Sequence, residues 1–352
     1  MRTTAMADSV HVLASSVSFD YQGVFHDFWR LTADGVTYGC IYALVAVGYT
    51  LVYGVLRLIN FAHSEIFMLG MFGQLVGLML FGFAAQADPY SQGVGLTVLY
   101  LSLAMVVGAL VAGGAAVGME RVAYRPLRKR GARPLSFLIT AIGVSFFLQQ
   151  FVQFILPKLG LPLAGTTVHL GGSSAQEPVI LVVPTELFHF ATASITNIMV
   201  IIVAAAIALA IGTELLINRT KFGRAIRAVA QDPDTAMLMG VSRERVIMAT
   251  FLIGGVLAGC AAMLYTLKIP NGVIYSGGFI LGIKAFSAAV LGGIGNLRGA
   301  LLGGILLGVV EQYGQILLGT QWRDVVAFVV LVLVLMIRPT GILGESLGRA
   351  RA

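Results

Sequence analysis

The strongest constraint on this chain is its succession of apolar runs, each about 20 residues long and joined by short polar links, the length a helix needs to cross a bilayer. Lipid offers no water to satisfy backbone N–H and C=O groups, so such runs must be helices. Of the 352 residues, 58% are hydrophobic and 11% charged, against roughly 25% charged in soluble domains. The chain reads as an all-α polytopic membrane protein. Apolar runs are expected at about 31–56, 66–83, 95–119, 135–156, 194–217 and 246–267, and in the glycine-rich last third at 279–294, 299–318 and 325–337. This gives about eight or nine transmembrane helices, depending on whether 279–294 crosses or re-enters. Residues 1–30 read as an N-terminal segment without a cleaved-signal pattern, 31–344 as one transmembrane domain and 345–352 as a tail.

Basic residues set the orientation, because Lys and Arg near helix ends resist translocation. Two links carry most of them, 120–134 and 218–245, and both are expected to be cytoplasmic. Placing the N-terminus outside and the C-terminus inside puts 17 of the 23 Lys and Arg residues on the cytoplasmic side. Pro126 and Pro134 are expected to end helices on either side of the first link. The segment 157–193, with four of the ten prolines and Lys158 as its one basic residue, is expected to be periplasmic. The net charge of +7 thus belongs to topology rather than to nucleic acid.

Several chemistries are disfavoured. None of the five lysines precedes Ser or Thr, so there is no phosphate-binding G-x-x-x-x-G-K-[ST] loop. The His residues show no H-E-x-x-H pattern, and Cys40 and Cys260 lie singly in apolar runs as packing residues. No catalytic residue and no metal site is assigned. Gly295, Gly299 and Gly303, and Gly304 with Gly308, lie four apart and read as small faces on which helix backbones approach closely.

Two features carry functional weight. The first is a polar island between the first two runs, with Asn60, His63, Ser64 and Glu65 as candidates for a translocation path; ionisable groups at membrane depth are costly and usually face a cavity or a partner. Helix capping by Glu65 at the interface is the plainer alternative. Lys284 and Glu311 on later runs join the candidates, as a pair that could meet inside the bundle. The second feature lies within 218–245. Asp232 followed by Pro233 is an N-cap with a helix-favouring first residue, and Gly240 is a stop. A helix over 233–239 is expected, too short to hold alone, so its Ala236, Met237, Leu238 and Met239 call for a docking partner.

Three separated stretches resemble the permeases of high-affinity branched-chain amino acid ABC transporters, of the LivH type. They are DGVTYGCIYALVAVGYTLVYG from Asp34 with LINFAHSE from Leu58; GRAIRAVAQD from Gly223; and KAFSAAVLGGIGN from Lys284 with RPTGILG from Arg338. The resemblance implies an ABC importer permease fold in a bacterial inner membrane. It implies as partners a second, LivM-like permease, two cytoplasmic ATPase subunits that use the ATP, and a periplasmic substrate-binding protein; this chain itself would bind no cofactor. In such importers a permease helix carries E-A-A, then G three residues on, and docks in the ATPase. Asp234, Thr235, Ala236 and Gly240 occupy that pattern, with Asp for Glu and Thr for the first Ala, and Arg227 is counted with them as coupling residues. Ser64 stands where many relatives have Gly, so a urea or short-chain amide importer remains open as an alternative cargo class. An ion-gradient-driven carrier remains open as an alternative of another kind.

Overall fold

The computed structural model describes residues 21–80, 94–155, 158, 161–163, 166–168, 182–269, 273 and 275–344. A short helix α1 (Tyr21–His26) leads into α2 (Phe28–Leu56), followed by α3 (His63–Leu80) and α4 (Val94–Met119). A π turn (Glu120–Tyr124) carries α4 into α5 (Arg125–Lys129), and α6 (Pro134–Gln150) ends in a second π turn (Phe151–Ile155). Two antiparallel hairpins follow, β1 (Leu161–Leu163) with β2 (Thr166–Val168) and β3 (Glu186–Phe190) with β4 (Ala193–Thr196). The remainder is helical: α7 (Asn197–Arg219), α8 (Lys221–Gln231), α9 (Pro233–Leu238), α10 (Arg243–Lys268), α11 (Gly277–Gly292), α12 (Leu297–Leu318) and α13 (Arg323–Ile337).

Among the described residues seven helices are long and apolar enough to cross a membrane: α2, α4 with its extension, α6, α7, α10, α12 and α13. The 18-residue α3 and the 16-residue α11 are also apolar, so the protein is a multi-pass, all-α bundle with the expected apolar segments. The segments 1–20 and 345–352, the end of the second run at 81–83 and, within 157–193, residues 157, 159–160, 164–165 and 169–181 lie outside the described residues.

Helix α2 is the centre of the bundle, with every residue from Gly39 to Val52 buried. Its closest neighbour is α12, and small residues make that seam: Gly35 lies on Val309, Gly39 on Ile305, and Gly304 on Ala43. A Cβ built on Gly39 would fall 2.6 Å from the Ile305 Cα, so the two backbones touch directly, the packing that membrane helices favour. Gly255 and Gly259 set α10 against Ala112 and Ala109 of α4 in the same way. Between α3 and α10 the Gln74 amide donates to the Thr266 hydroxyl. Helices α6, α7 and α13 form the perimeter and turn Ile139, Phe146, Ile207, Ile211, Val332 and Met336 outward, an apolar exterior suited to lipid.

The structure departs from the sequence-based expectations in four places. The link 120–134 is mostly helical, and Pro126 does not stop it. Pro126 sits in the first turn of α5, where a missing N–H costs little, and the π turn before it closes through the Arg125 N–H on the Glu120 carbonyl. The stretch 218–245 holds a further helix, α8, whose Thr220 hydroxyl caps it by accepting the Gly223 N–H at 3.0 Å. Ser194 belongs to β4, so the fifth span opens at Asn197. Gly295 has φ +101° and nothing within 4 Å of its would-be Cβ; it shapes the turn before α12, and the close-packed ladder begins at Gly299.

Candidate translocation and coupling sites

The α2–α3 break is built by backbone geometry and one asparagine. Arg57 takes a left-handed φ of 55° and its N–H closes on the Tyr53 carbonyl at 2.7 Å, ending α2. The Asn60 carboxamide oxygen then accepts the Ala62 N–H at 3.1 Å and the Tyr124 hydroxyl at 2.9 Å, pinning this break to the π turn that follows α4. His63 is buried, edge-on to Tyr49 with ring centroids 4.7 Å apart, and lies where a Cβ on Gly48 would sit. Ser64 donates to the Phe61 carbonyl at 2.9 Å, and Gly282 of α11 packs on its side chain. A cavity of about 10 Å³ beside Tyr49, Asn60 and Phe286 is room for roughly one water.

Glu65 is fully buried, and one of its oxygens accepts from Ser64 at 3.2 Å, Ser145 at 3.0 Å and Gln149 at 2.8 Å. It therefore does more than favour the helix dipole at the start of α3, because it ties α3 to α6. Among the described residues Glu65 Oε2, His63 Nε2 and Asn60 Nδ2 find no partner. Buried polar atoms without partners are costly, and three of them fall in this one short turn.

Along the N-terminal half of α2 lies a second polar centre. Lys284 reaches Glu311 and Asp324, each at 2.5 Å, and Arg323 reaches the same Glu311 oxygen at 2.5 Å. Lys268 pairs with Asp34 at 2.7 Å. The Tyr38 ring joins the two groups, with the Arg323 guanidinium 4.6 Å and the Lys268 ammonium 5.3 Å from its centroid, within cation–π range. Five helices, α2, α10, α11, α12 and α13, are thereby tied by charge.

The coupling candidates occupy the opposite end. Helix α8 buries Gly223, Ile226 and Val229 and exposes Lys221, Arg224 and Arg227. Arg227 does not stand free: its guanidinium donates to the Ile217 carbonyl and, at 3.4 Å, to Asn218 Oδ1. Arg57 donates to the Ala230 carbonyl at 3.3 Å, joining the C-terminal end of α2 to α8. Helix α9 starts where Asp232 Oδ1 accepts the N–H groups of Asp234 and Thr235 at 3.0 and 3.1 Å, with the Thr235 hydroxyl donating to Oδ2. That hydroxyl, and behind it the two amides, hold the exposed Asp232 carboxyl below the usual carboxylate range. The helix ends on Gly240 at φ +83°, with Gly240 N–H on the Met237 carbonyl and Val241 N–H on the Ala236 carbonyl, both at 3.0 Å, the two bonds of a Schellman stop. Ala236 faces inward at 5% exposure, whereas Leu238 and Met239 stand out at 87% and 81%.

A third cluster binds the same end together. Arg128, almost buried, donates to Glu120 at 2.6 Å and to Glu244 at 2.7 Å, and Arg125 reaches Glu244 at 2.9 Å. This knot fastens α5 to the start of α10.

The six path candidates thus fall into two groups along α2, joined by α11, whose Gly282 packs on Ser64 and whose Lys284 pairs with Glu311. Asn60, His63, Ser64 and Glu65 lie together at the α2–α3 break, while Lys284 and Glu311 meet beside the N-terminal half of α2. Asp234 and Thr235 are exposed on α9, Ala236 packs inward, Gly240 ends the helix and Arg227 is held by the end of α7. Asp34, Lys268, Arg323 and Asp324, the Glu120–Arg128–Glu244 knot, and Ser145 with Gln149 were not anticipated from sequence. Their pairing is through space; only the isolated charges inside apolar runs could have drawn attention to them. Among the described residues no three His, Cys, Asp or Glu side chains are placed to hold a metal ion.

Comparison with known proteins agrees with this architecture. The family model described as the permease component of branched-chain amino acid transport systems matches residues 31–335. The high-affinity branched-chain amino acid transport system permease protein BraD of Pseudomonas aeruginosa is 39% identical over 92% of this chain and 97% of that protein. The corresponding permease LivH of Escherichia coli K12 is 38% identical over 90% of this chain and 96% of its own length. A probable LivH of Methanocaldococcus jannaschii is 29% identical over 88% and 90%. One solved structure, PsaBC from Streptococcus pneumoniae in complex with Fab, covers 91% of this chain and 95% of that chain at 12% identity and a TM-score of 0.42, too low to bear on the fold.

Proposed function

The chain belongs to the family of permease components of branched-chain amino acid transport systems, and from that premise we propose that it is the inner-membrane permease of an ATP-driven importer of branched-chain or other apolar amino acids. It forms the path with a second permease and performs no chemistry on its cargo. Two cytoplasmic ATPases bind and hydrolyse the ATP, and a periplasmic binding protein delivers the amino acid. The α8–α9 end faces the cytoplasm, where its exposed Lys221, Arg224 and Arg227 fit the bias of basic residues.

The observation that carries this function is the tip of α9. Met237, Leu238 and Met239 project from a six-residue helix whose two ends are both capped. A helix of two turns is marginal in water, and large apolar side chains set in water at its tip are the form of a contact completed by another protein. An apolar groove on an ATPase is the partner that fits. Force on α9 passes to α8, from there to α2 through Arg57 and Ala230, and to α10 through Val241 and the short link that follows.

Leu238→Asp tests this directly, because Leu238 touches little of its own chain. The variant should reach the membrane at the normal level, while the ATPase subunits no longer copurify and amino acid uptake falls at least tenfold. Gly240 is a poorer probe, since its positive φ would strain any replacement. Normal uptake and copurification with Leu238→Asp would remove α9 from the coupling role.

A further inference from the structure

We propose that the Lys284–Glu311–Arg323–Asp324 network, with Lys268 and Asp34 beside it, is a charge-exchange gate that admits the zwitterionic backbone of an amino acid. This rests on the importer function proposed above and assigns that path a recognition step of its own.

Three cations and three anions meet here, so the network is neutral as a whole. All four ion pairs join different helices, and closed pairs therefore hold α2, α10, α11, α12 and α13 together. The network lies at the end of the bundle away from α8 and α9, which is the outer end. Exposure falls stepwise inward, from 46% at Asp324 through 24% at Arg323 and 8% at Lys284 to zero at Glu311. A solute arriving from outside thus meets the anion Asp324 first and the buried carboxylate last.

Glu311 is the informative member. One of its oxygens takes both Lys284 and Arg323, the Tyr42 hydroxyl lies against the same carboxylate, and Oε2, fully buried, makes no well-formed hydrogen bond among the described residues. A buried carboxylate oxygen with lone pairs to spare beside two cations is a seat for a hydrogen-bond donor. Parting the ion pairs without replacement would strand buried charges, at a large cost. An α-amino acid avoids that cost, because it brings one ammonium and one carboxylate. Its ammonium takes Glu311 Oε2 and Asp324, its carboxylate takes Lys284 and Arg323, and every charge remains paired with no net change. A neutral amide cannot make this exchange. The apolar side chain of the cargo has no part in it, so the gate reads the backbone that all amino acids share and leaves side-chain choice to the binding protein.

The test is a balanced double substitution, Lys284→Gln with Glu311→Gln, in the complete importer with the loaded binding protein. It removes one charge of each sign, and replacing both members of a buried pair is often tolerated where removing one is not. Uptake of radiolabelled leucine should fall at least tenfold, with the amount of permease in the membrane and the ATP hydrolysis stimulated by loaded binding protein both kept within about twofold. Normal leucine uptake by the double variant would overturn the gate. So would parallel loss of permease, or of ATP hydrolysis together with uptake, since a purely structural network gives that result. If the unaltered importer carries no apolar amino acid, the cargo assignment fails instead.

Discussion

Gly39→Ala is the sharpest test of how this bundle is held together. The added Cβ would lie 2.6 Å from the Ile305 Cα and 2.9 Å from the carbonyl oxygens of both Gly304 and Ile305. Carbon atoms in contact prefer about 3.5–4.0 Å, so roughly 1 Å is missing, and every atom in the way is backbone. No rotamer change can supply the space; α2 and α12 must move apart. Overpacking of this kind costs about 1–3 kcal/mol, here at the seam that also brings Tyr42 of α2 near Lys284. Gly54 provides a control in the same helix, because nothing lies within 4 Å of its would-be Cβ, and Gly→Ala in an open helical position gains up to about 1 kcal/mol. The two variants should therefore differ by about 2–4 kcal/mol, or roughly 30- to 1,000-fold in folding equilibrium. Unfolding of the purified permease by SDS in mixed micelles, followed by circular dichroism, measures the difference. Equal midpoints for Gly39→Ala and Gly54→Ala would mean that the α2–α12 seam is not the close contact described.

Further outcomes are expected at the α8–α9 end. Arg128→Met leaves the buried Glu120 carboxylate without its cation and should destabilise the permease by about 3–5 kcal/mol in the same unfolding assay; adding Glu120→Gln should restore most of the loss. Asp232→Ala removes the acceptor of two amides and a hydroxyl, and should weaken ATPase binding, measured by copurification, while Asp232→Asn preserves it. Because the Asp232 carboxyl is held low in the folded chain, its contribution is fully present above the ordinary value of 3.8 and fades only as pH falls through the lower folded value. ATPase binding should accordingly show no dependence on this group near neutrality; a midpoint between pH 6 and 8 that disappears in Asp232→Asn would contradict the assignment.

What the sequence discloses about this protein follows the range of the interactions involved. The spans and the capped helix α9 depend on local rules, apolar length in one case and Asp-Pro with a following Gly in the other, and both were readable. Helix α8 carries its own signal in Phe222, Ile226 and Val229 at helical spacing, while its three basic residues, Lys221, Arg224 and Arg227, carry a topology signal over the same stretch. Glu65 could be suspected from its place in an apolar setting, yet its partners Ser145 and Gln149 lie 80 and 84 residues away, and no local rule points to them. Arg128 looked like one more positive-inside charge, although it is the centre of an ion-pair knot. Gly295 shows the opposite error, a residue in register by spacing that the turn before α12 has removed from the helix.

The length of α2 has a mechanical consequence. From Asp34 to Arg57 the helix is about 35 Å long at 1.5 Å per residue, unbroken, and engaged at both ends: Arg57 holds Ala230 beside the coupling helices, and Asp34 holds Lys268 beside the charge network. It is a rigid rod, and a rod turns small angles into large displacements. Tilting it by about 5° about its inner end carries Asp34 through roughly 3 Å, about the full length of an ion pair. Gly35 and Gly39 seat α12 on that same far end of α2, so the swing that releases the lock must carry α12 with it.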